Sequence, residues 1–368
     1  QSLVQVTMSS SYGNLEPQSN ATSAREIQFE HSTNLAETLS RAGISIMIST
    51  YQAGKLVVIG ANDGQLELSF HNYDRPMGMA IDPQVNRLAV ATRDAVVIAS
   101  NDPAVARQLR SSGSVETCFL TRAAHFTGDI QAHEIAWANG ELWVVNTRFS
   151  CLCTLDHSHS FVPRWQPRFV DALVAEDRCH LNGLAIENDR PKYATALAET
   201  NTEEGWRPVK KDAGCLIDIE SNEVVARGFS MPHSPTVRFG SVFLLSSGHG
   251  ALVRCDPSGT IDEVGRFPGY ARGLAIHHDL AVVGLSKIRE TSTFGGLPIL
   301  DRADGLKCGI AIVDLSSGRL VSQFEFKAGV DEIFDVDVVS RPGRVALRGP
   351  HETEDGHEAI WVVPPPQP

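Results

Sequence analysis

A strand–turn–strand pattern that recurs along the chain limits its fold more than any other feature. Short apolar runs are separated by turns such as Gln52-Ala53-Gly54 and Asn62-Asp63-Gly64, and runs bounded by Gly, Asn and Asp are typical of β-strands. The pattern restarts near residues 44, 76, 133, 181, 234, 273 and 334. This spacing averages ~40–50 residues, the length of one four-stranded blade. The sequence therefore predicts an all-β chain, a β-propeller of seven blades, with six as the alternative because the first start lacks the Gly or His entry of the others.

The repeats occupy most of the 368 residues. Residues 1–27 are rich in Ser, Asn, Gln and Thr and have no apolar periodicity, so we expect a disordered arm or tag remnant there. Residues 28–368 are predicted to form a single β-propeller domain. The run 359–363, which precedes the final prolines, is expected to pair beside an N-terminal strand and close the ring, since closure removes sheet edges.

One short N-terminal helix is predicted over residues 33–43. Leu35 and Leu39 stand four residues apart there, and Gly43 follows them as a stop signal. Two longer stretches, 199–214 and 290–307, interrupt the strand pattern. Long loops on a rigid scaffold usually cover a site.

Charge and cysteine content narrow the function classes. A formal net charge of −12 argues against nonspecific binding to nucleic acid or to an anionic membrane. No apolar stretch approaches the ~20 residues that a membrane-spanning helix needs. The seven cysteines are scattered and lack the spacing of a disulfide scaffold or a zinc site. We interpret Cys151 and Cys153 as core residues and expect a cytoplasmic protein.

Three histidines stand at matching places in three successive repeats, namely His133, His180 and His233. The opening strand of each blade lines the channel of a propeller, so these imidazoles are expected to converge on one axis. Three imidazoles on rigid strands suit Zn, Cu, Fe or Ni and leave a position open for water or substrate. The sequence predicts a three-histidine site for a divalent transition metal, zinc first, with copper or iron as alternatives. The plainer alternative is a polar channel whose imidazoles bind backbone and water.

Two arginines enter the ring near the level of the histidines. Arg75 precedes one opening strand and Arg272 precedes another. Two guanidinium groups beside a metal can clamp a carboxylate in bidentate fashion. The alternative is a pair of structural salt bridges to Asp74 and Asp335.

Two further residues are candidate proton carriers. Glu134 follows His133 directly, although strand alternation points it to the other face. His125 lies in the segment 122–129, interpreted as a loop, where it is a candidate general base or fourth ligand; an exposed histidine without a role is the alternative. Arg75, Arg272, Glu134 and His125 thus form the predicted catalytic set.

Several strings of this sequence, taken together, resemble an uncharacterised bacterial family of conserved hypothetical proteins. The strings are Thr50-Tyr51-Gln52-Ala53-Gly54-Lys55-Leu56, Arg75-Pro76-Met77-Gly78, His125-Phe126-Thr127-Gly128-Asp129, Phe161-Val162-Pro163-Arg164-Trp165, Asp177-Arg178-Cys179-His180-Leu181-Asn182-Gly183, Pro232-His233-Ser234-Pro235 and Gly284-Leu285-Ser286-Lys287-Ile288-Arg289-Glu290. The resemblance spans about residues 28–364 and implies a propeller-like fold but no reaction. Because members are sometimes fused to tetratricopeptide repeats, it also implies a tetratricopeptide-repeat protein as a partner.

A looser resemblance concerns the site alone. His133, His180 and His233 are similar to the three channel histidines that hold zinc in the six-bladed peptidyl-hydroxyglycine amidating lyases. Those lyases also use a tyrosine and an arginine; Arg75 or Arg272 corresponds to the arginine, whereas no tyrosine can be assigned. The gluconolactonase-like propellers bind calcium through acidic and Asn ligands, and the histidines depart from that pattern.

The predicted function is that of a metal-dependent enzyme of lyase or hydrolase type with its site in the channel, acting on a small-molecule or peptide substrate and not on nucleic acid or membrane. One alternative is a copper- or iron-dependent oxidoreductase that modifies peptides. Another is a non-catalytic propeller that binds a protein partner.

Overall fold

The computed structural model describes residues 27–82, 84, 86–110, 115–288, 291, 293–340, 343–353 and 356–364. All but the last residue of the predicted arm at 1–27 therefore lie outside the described residues. The elements, in chain order, are β1 Gln28–His31, α1 Leu35–Ala42, β2 Ser45–Thr50, β3 Lys55–Asn62, β4 Gln65–Asn72, β5 Met79–Asp82, β6 Arg87–Ala91, β7 Ala95–Asn101, α2 Pro103–Arg110, β8 Val115–Phe126, β9 Ala132–Ala138, β10 Glu141–Asn146, β11 Cys151–Thr154, β12 Val162–Trp165, β13 Leu181–Glu187, β14 Arg190–Ala196, β15 Gly214–Asp218, β16 Glu223–Phe229, β17 Pro232–Arg238, β18 Ser241–Ser246, β19 Ala251–Cys255, β20 Ile261–Arg266, β21 Tyr270–His277, β22 Leu280–Ser286, β23 Cys308–Asp314, β24 Leu320–Ala328, β25 Asp335–Val339 and β26 Arg344–Arg348.

These strands form six sheets arranged as the blades of a propeller. From the channel outward the blades are β5-β6-β7-β8-β26, β9-β10-β11-β12, β13-β14-β15-β16, β17-β18-β19-β20, β21-β22-β23-β24-β1 and β25-β2-β3-β4. Each innermost strand contacts the innermost strand of the next blade, and β25 contacts β5. The six inner strands therefore close a ring around one channel.

Burial along the strands follows from their place in the blade. Strand β3 is buried along almost all of its length, because a middle strand is covered on both faces by neighbouring blades. Strand β24 lies farther out and alternates, with Phe324 and Phe326 buried and Gln323 and Lys327 exposed. That alternation is the period-two pattern of a strand with one face in solvent.

The predicted count of seven blades is wrong and the alternative of six is correct. The starts near residues 44 and 334 belong to one blade, because β25 pairs antiparallel with β2, with Asp335 opposite Ser49 and Val339 opposite Ser45. One repeat is thus split between the two ends of the repeated region, so this single blade was counted as two.

The strand predicted at 359–363 is also wrong, since this segment has no strand structure. The ring closes earlier, through β25 and through β26, which pairs parallel with β8. Val345 and Val336 are buried in these two strands, whereas Trp361 and Val363 are half exposed. Closure therefore uses the segments that can bury apolar side chains between blades.

The predicted N-terminal helix is confirmed as α1. Its Leu35 and Leu39 are fully buried, and Gly43 ends it with a φ of 67°, a conformation that glycine adopts without a Cβ clash. A second helix, α2, was not predicted. Asp102 caps it by accepting hydrogen bonds from Ala104 N at 2.9 Å and Val105 N at 3.1 Å, and Pro103 follows at the position where proline suits a helix start.

Two further findings concern the whole chain. All seven cysteines are buried and unpaired, which confirms Cys151 and Cys153 as core residues. In the part of the chain that the structure describes, none of the helices has the length and apolar character needed to cross a membrane.

Candidate functional site

The three predicted histidines lie at the same end of three inner strands, at one mouth of the channel. His133 and His233 lie at the starts of β9 and β17, and His180 immediately precedes β13. These three inner strands are neighbours in the ring. The ring centroids of His133 and His180 are 4.7 Å apart in an edge-on arrangement, and both His180 and His233 act electrostatically on His133. The position of the histidines within the repeat thus brings them together.

The blades that begin with β9 and β17 hold His133 and His233 in the same way. The residue two positions earlier has a positive φ, 52° in Gln131 and 50° in Met231, and its carbonyl oxygen lies beside the imidazole Nδ1. A hydroxyl just after the second strand of the blade also meets Nδ1. The distances are 3.1 Å and 3.0 Å from His133 Nδ1 to Gln131 O and Thr147 Oγ1, and 2.9 Å and 2.9 Å from His233 Nδ1 to Met231 O and Ser247 Oγ.

His180 is held by a carboxylate instead. Its Nδ1 lies 2.8 Å from Asp177 Oδ2, and the indole of Trp206 donates to the same oxygen at 3.1 Å. The rings of His180 and Trp206 lie 4.4 Å apart. Asp177 Oδ1 is buried and has no hydrogen-bond partner among the described residues. Asp177 therefore orients both rings at once.

This arrangement determines which nitrogen of each imidazole is open. A carbonyl or carboxylate oxygen accepts from Nδ1–H, so the lone pair of a neutral imidazole lies on Nε2. Within the described ranges no protein group is hydrogen-bonded to Nε2 of His133, His180 or His233. Histidines that bind metals show the same pattern, with Nδ1 held by a carboxylate or carbonyl.

Electrostatics keep two of the imidazoles neutral. Burial lowers the pKa of His133 well below its usual value, and the charges of His180 and Arg272 lower it further. Burial, followed by the charge of Arg272, lowers the pKa of His233 in the same way. A neutral imidazole is the form that binds a metal.

The spacing of His133 and His180 fits a shared metal ion. The three histidines together, however, do not yet surround a common metal position. Two imidazoles on one tetrahedral zinc, with Zn–N near 2.0–2.1 Å, have ring centroids about 5 Å apart, close to the 4.7 Å between His133 and His180. Among the residues described, however, no group of three or more His, Cys, Asp or Glu side chains already has the geometry to hold a metal ion.

Arg272 lies on β21, one of the inner strands that form the channel wall. It is 8% exposed, and its guanidinium carbon lies 3.3 Å from the centroid of the Phe334 ring. Phe334 in turn lies 5.3 Å from His133, measured between ring centroids. The nearest carboxylate is Glu332, with Oε1 3.8 Å from Arg272 Nη1, and burial lowers the pKa of the guanidinium. The next residue, Gly273, has a φ of 81° and approaches Val336 N too closely for a side chain.

Arg75 reaches only the rim of this site. Its side chain is exposed, and its guanidinium carbon lies 5.7 Å from the ring centroid of Tyr51, whose ring is 5.7 Å from Phe334. Asp74, a predicted partner of Arg75, pairs with Arg93 at 2.7 Å. Arg75 and Arg272 therefore stand on the same side of the channel at different depths.

The acidic candidates lie apart from the imidazole edges. Glu134 is partly buried, and its pKa is raised well above its usual value by desolvation and by the neighbouring Asp335. Asp335 accepts from Met79 N and Val336 N, both at 2.8 Å. Asp335 thus joins β25 to β5, and it is not the salt-bridge partner predicted for Arg272.

The structure does not bring His125 to the cluster. The segment predicted as a loop at 122–129 is strand through Phe126, since β8 extends to that residue. Strand β8 is the fourth from the channel, and His125 Nε2 lies 3.1 Å from the carbonyl oxygen of His159.

The described parts of both long loops fold over the histidine side of the mouth, as their length predicted. Trp206 from the first loop packs in one buried apolar cluster with Tyr270 and with Leu297 and Ile299 from the second. Arg207 Nη1 donates to Thr293 Oγ1 at 3.5 Å and links the two loops. The imidazoles therefore lie beneath an aromatic and aliphatic cover.

Four residues of the site were missed in the sequence: Tyr270, Trp206, Asp177 and Phe334. Tyr270 opens β21 as the histidines open their strands, and its ring lies 5.9 Å from His233. That shared repeat position was the available signal. Trp206 is brought in by a loop, for which repeat position gives no signal.

Comparison with solved structures gives matches at low sequence identity. One is a nidogen/laminin complex, with a TM-score of 0.53, 9% identity, and coverage of 81% of this chain and 100% of that chain. Weaker likenesses are a putative 6-phosphogluconolactonase from Bacteroides fragilis, with a TM-score of 0.45, 13% identity and coverage of 82% and 99%, and virginiamycin B lyase from Staphylococcus aureus, with a TM-score of 0.38, 11% identity and coverage of 82% and 99%. The first likeness supports the fold alone.

Sequence comparison places the chain more directly. None of the curated proteins matches it. The family described as a domain of unknown function, DUF4915, matches residues 33–346. That span contains all six inner strands and the three histidines, and the protein belongs to this family.

Proposed function

We propose that this protein is a metal-dependent enzyme whose active site is the histidine-lined mouth of the channel. His133, His180 and His233 would hold a divalent transition metal, zinc first. The substrate is a small molecule or a peptide side chain or terminus, and the reaction is of lyase or hydrolase type.

One observation carries this proposal. Each of three neighbouring blades holds an imidazole by its Nδ1 and leaves Nε2 open, through oxygens of Gln131 and Thr147, of Asp177, and of Met231 and Ser247. A histidine that only fills a channel needs one satisfied nitrogen and no particular tautomer. Three with the same open nitrogen support a common ligand at that position.

The residues around the histidines would shield the site from bulk solvent. A bound divalent metal would lower the pKa of a water molecule or polarise a carbonyl group of the substrate. Trp206 and Tyr270, both almost fully buried, cover the site, and the buried guanidinium of Arg272 supplies positive charge for a carboxylate. Low local dielectric strengthens each of these charge interactions.

Metal analysis of protein purified without added metal tests the proposal. The expected result is about one equivalent of zinc, because a three-histidine site holds a single ion. His233→Ala should lose most of that metal while its circular dichroism spectrum is unchanged, since two imidazoles on rigid strands cannot compensate. The matched control is His157→Ala, an exposed histidine, which should bind metal as the wild type does.

The other results decide between the alternatives. Copper or iron in place of zinc would favour an oxidoreductase with the same ligands. Absence of metal after reconstitution, or equal binding by wild type and the His233→Ala variant, would overturn the metal site and favour a propeller that binds a protein partner.

A further inference from the structure

A buried hydrogen-bond donor and a buried acceptor, both without a partner among the described residues, lie in the channel wall near the histidines. Arg272 Nη2 is a buried donor and Glu332 Oε2 is a buried acceptor, and neither has a hydrogen-bond partner among the described residues. The two side chains belong to adjoining blades. Arg272 lies on β21, and Glu332 precedes β25, the inner strand that contacts β21.

A purely structural ion pair does not account for this geometry. The closest approach, from Arg272 Nη1 to Glu332 Oε1, is 3.8 Å, which is too long for a hydrogen bond. Burying a guanidinium and a carboxylate is costly unless both are fully hydrogen-bonded. The side chains are only 10% and 15% exposed, so each loses most of its water without gaining a full partner.

The protein nevertheless holds Arg272 in place. The guanidinium stacks on the Phe334 ring at 3.3 Å, and Gln52 lies beside the Glu332 carboxylate. Both groups are thus positioned by their neighbours, with one buried donor and one buried acceptor left without a hydrogen-bond partner among the described residues. Such preorganised, unsatisfied groups are expected where a ligand completes the hydrogen bonds.

The charges select the kind of ligand. A lone carboxylate on Arg272 would be repelled by the Glu332 carboxylate, and a lone cation on Glu332 would be repelled by the guanidinium. A ligand with an anion and a cation next to each other satisfies both groups without net charge in the channel. We infer that Arg272 and Glu332 bind the α-carboxylate and α-ammonium groups of an amino-acid-like substrate. The head-group site itself does not require a metal. The inference rests on the proposed function only in placing the reacting part of the substrate at the histidines.

The position of the pair relates it to the proposed active site. Phe334 contacts the Arg272 guanidinium on one side and lies 5.3 Å from the His133 ring. A head group bound by the pair therefore stands one aromatic ring away from the imidazoles. The rest of the substrate would extend from the head group toward the histidines under Trp206 and Tyr270.

Three small probes test the inference on the full chain treated with a chelator, so that the result does not depend on a metal. Glycine carries both charges, acetate only the anion and methylamine only the cation. Binding measured by ligand-observed nuclear magnetic resonance should be tightest for glycine, by about tenfold or more over either other probe, because the second charged hydrogen bond is absent from each of them.

Glu332→Gln provides the decisive variant, since it keeps the shape and removes the charge. Glycine binding should weaken by about tenfold, while acetate binding should strengthen relative to wild type because the repelling carboxylate is gone. The matched control is Asp331→Asn, which changes the adjacent, half-exposed acid that pairs with Lys287 at 3.4 Å. The control should bind all three probes as the wild type does.

Equal binding of acetate and glycine by the wild type would overturn the inference, as would unchanged selectivity in the Glu332→Gln variant. These outcomes differ from failure of the metal proposal. A chain that binds glycine selectively but never retains zinc keeps the head-group site and loses the metal, and a chain that binds zinc but not glycine shows the reverse.

Discussion

At the scale of single residues, the site is built from backbone conformations that are uncommon for residues with a side chain. Gln131 and Met231 have φ values of 52° and 50°, and His180 itself has a φ of 49°. Each such residue costs about 1–3 kcal/mol of strain, and such strain tends to collect at functional sites. Here the conformation of Gln131 and Met231 accompanies a carbonyl that meets the Nδ1 of the histidine two residues later. The strain therefore has a direct structural result, which is the fixed orientation of the ring.

The hydroxyl of Ser247 should matter for metal binding far more than for folding. Ser247→Ala removes the oxygen that lies 2.9 Å from His233 Nδ1, and loss of such an outer partner typically weakens metal affinity by about 10–100-fold. A competition titration with a zinc chelator measures the change.

Ser49→Ala is the matched control for this experiment, because its buried hydroxyl donates to Met77 O at 2.7 Å and touches none of the histidines. Both variants should lose a similar free energy of unfolding, about 1 kcal/mol for one hydrogen bond. If Ser49→Ala and Ser247→Ala weakened zinc binding equally, the Nδ1 contact would not orient a ligand.

At the scale of elements, the closing strand β25 carries a carboxyl group, that of Asp337, whose contribution to the stability of the ring depends on pH. Asp337 accepts from Ile81 N at 3.0 Å and from Val338 N at 2.7 Å, so it joins β25 to β5. Burial raises the pKa of its carboxyl from 3.8 to about 6. The folded chain therefore holds the proton more tightly than the unfolded chain does. This contribution to stability is fully present below about pH 4 and is lost as the pH rises through about 6.

Asp337→Asn removes this dependence because an amide carries no charge at any pH. Between pH 4.5 and pH 8, the free energy of unfolding of the wild type should fall relative to that of the variant by about 2 kcal/mol. Urea unfolding at several pH values measures it. Asp63→Asn, in an exposed turn, should run parallel to the wild type, and an Asp337→Asn curve that also ran parallel would contradict the assignment.

At the scale of the whole molecule, the sequence predicted what the repeat determines. The meeting of His133, His180 and His233 follows from their equal positions in successive blades, because a closed ring turns equal positions into neighbours. The blade count was wrong since the blade of β25 and β2 is assembled from both ends of the repeated region. The local pattern gave a single signal of this, because the start near residue 44 lacks the Gly or His entry of the others.

Contacts that do not follow from equal positions in the repeat were the ones that could not be predicted. Trp206 reaches His180 because its loop folds back over the channel, and Arg272 meets Glu332 only because their blades adjoin. His125 shows the opposite case, since its string is distinctive but its strand lies fourth from the channel. A motif indicates a site only after the topology has placed it.

The most direct test of the three-histidine site is the position of a metal in a crystal soaked with zinc and measured at the zinc absorption edge. The proposed site predicts one anomalous peak at the channel mouth, at about 2.0–2.1 Å from Nε2 of each of His133, His180 and His233, after small rotations of the rings. Ordered rings without a peak between them, or a peak bound elsewhere on the chain, would contradict it.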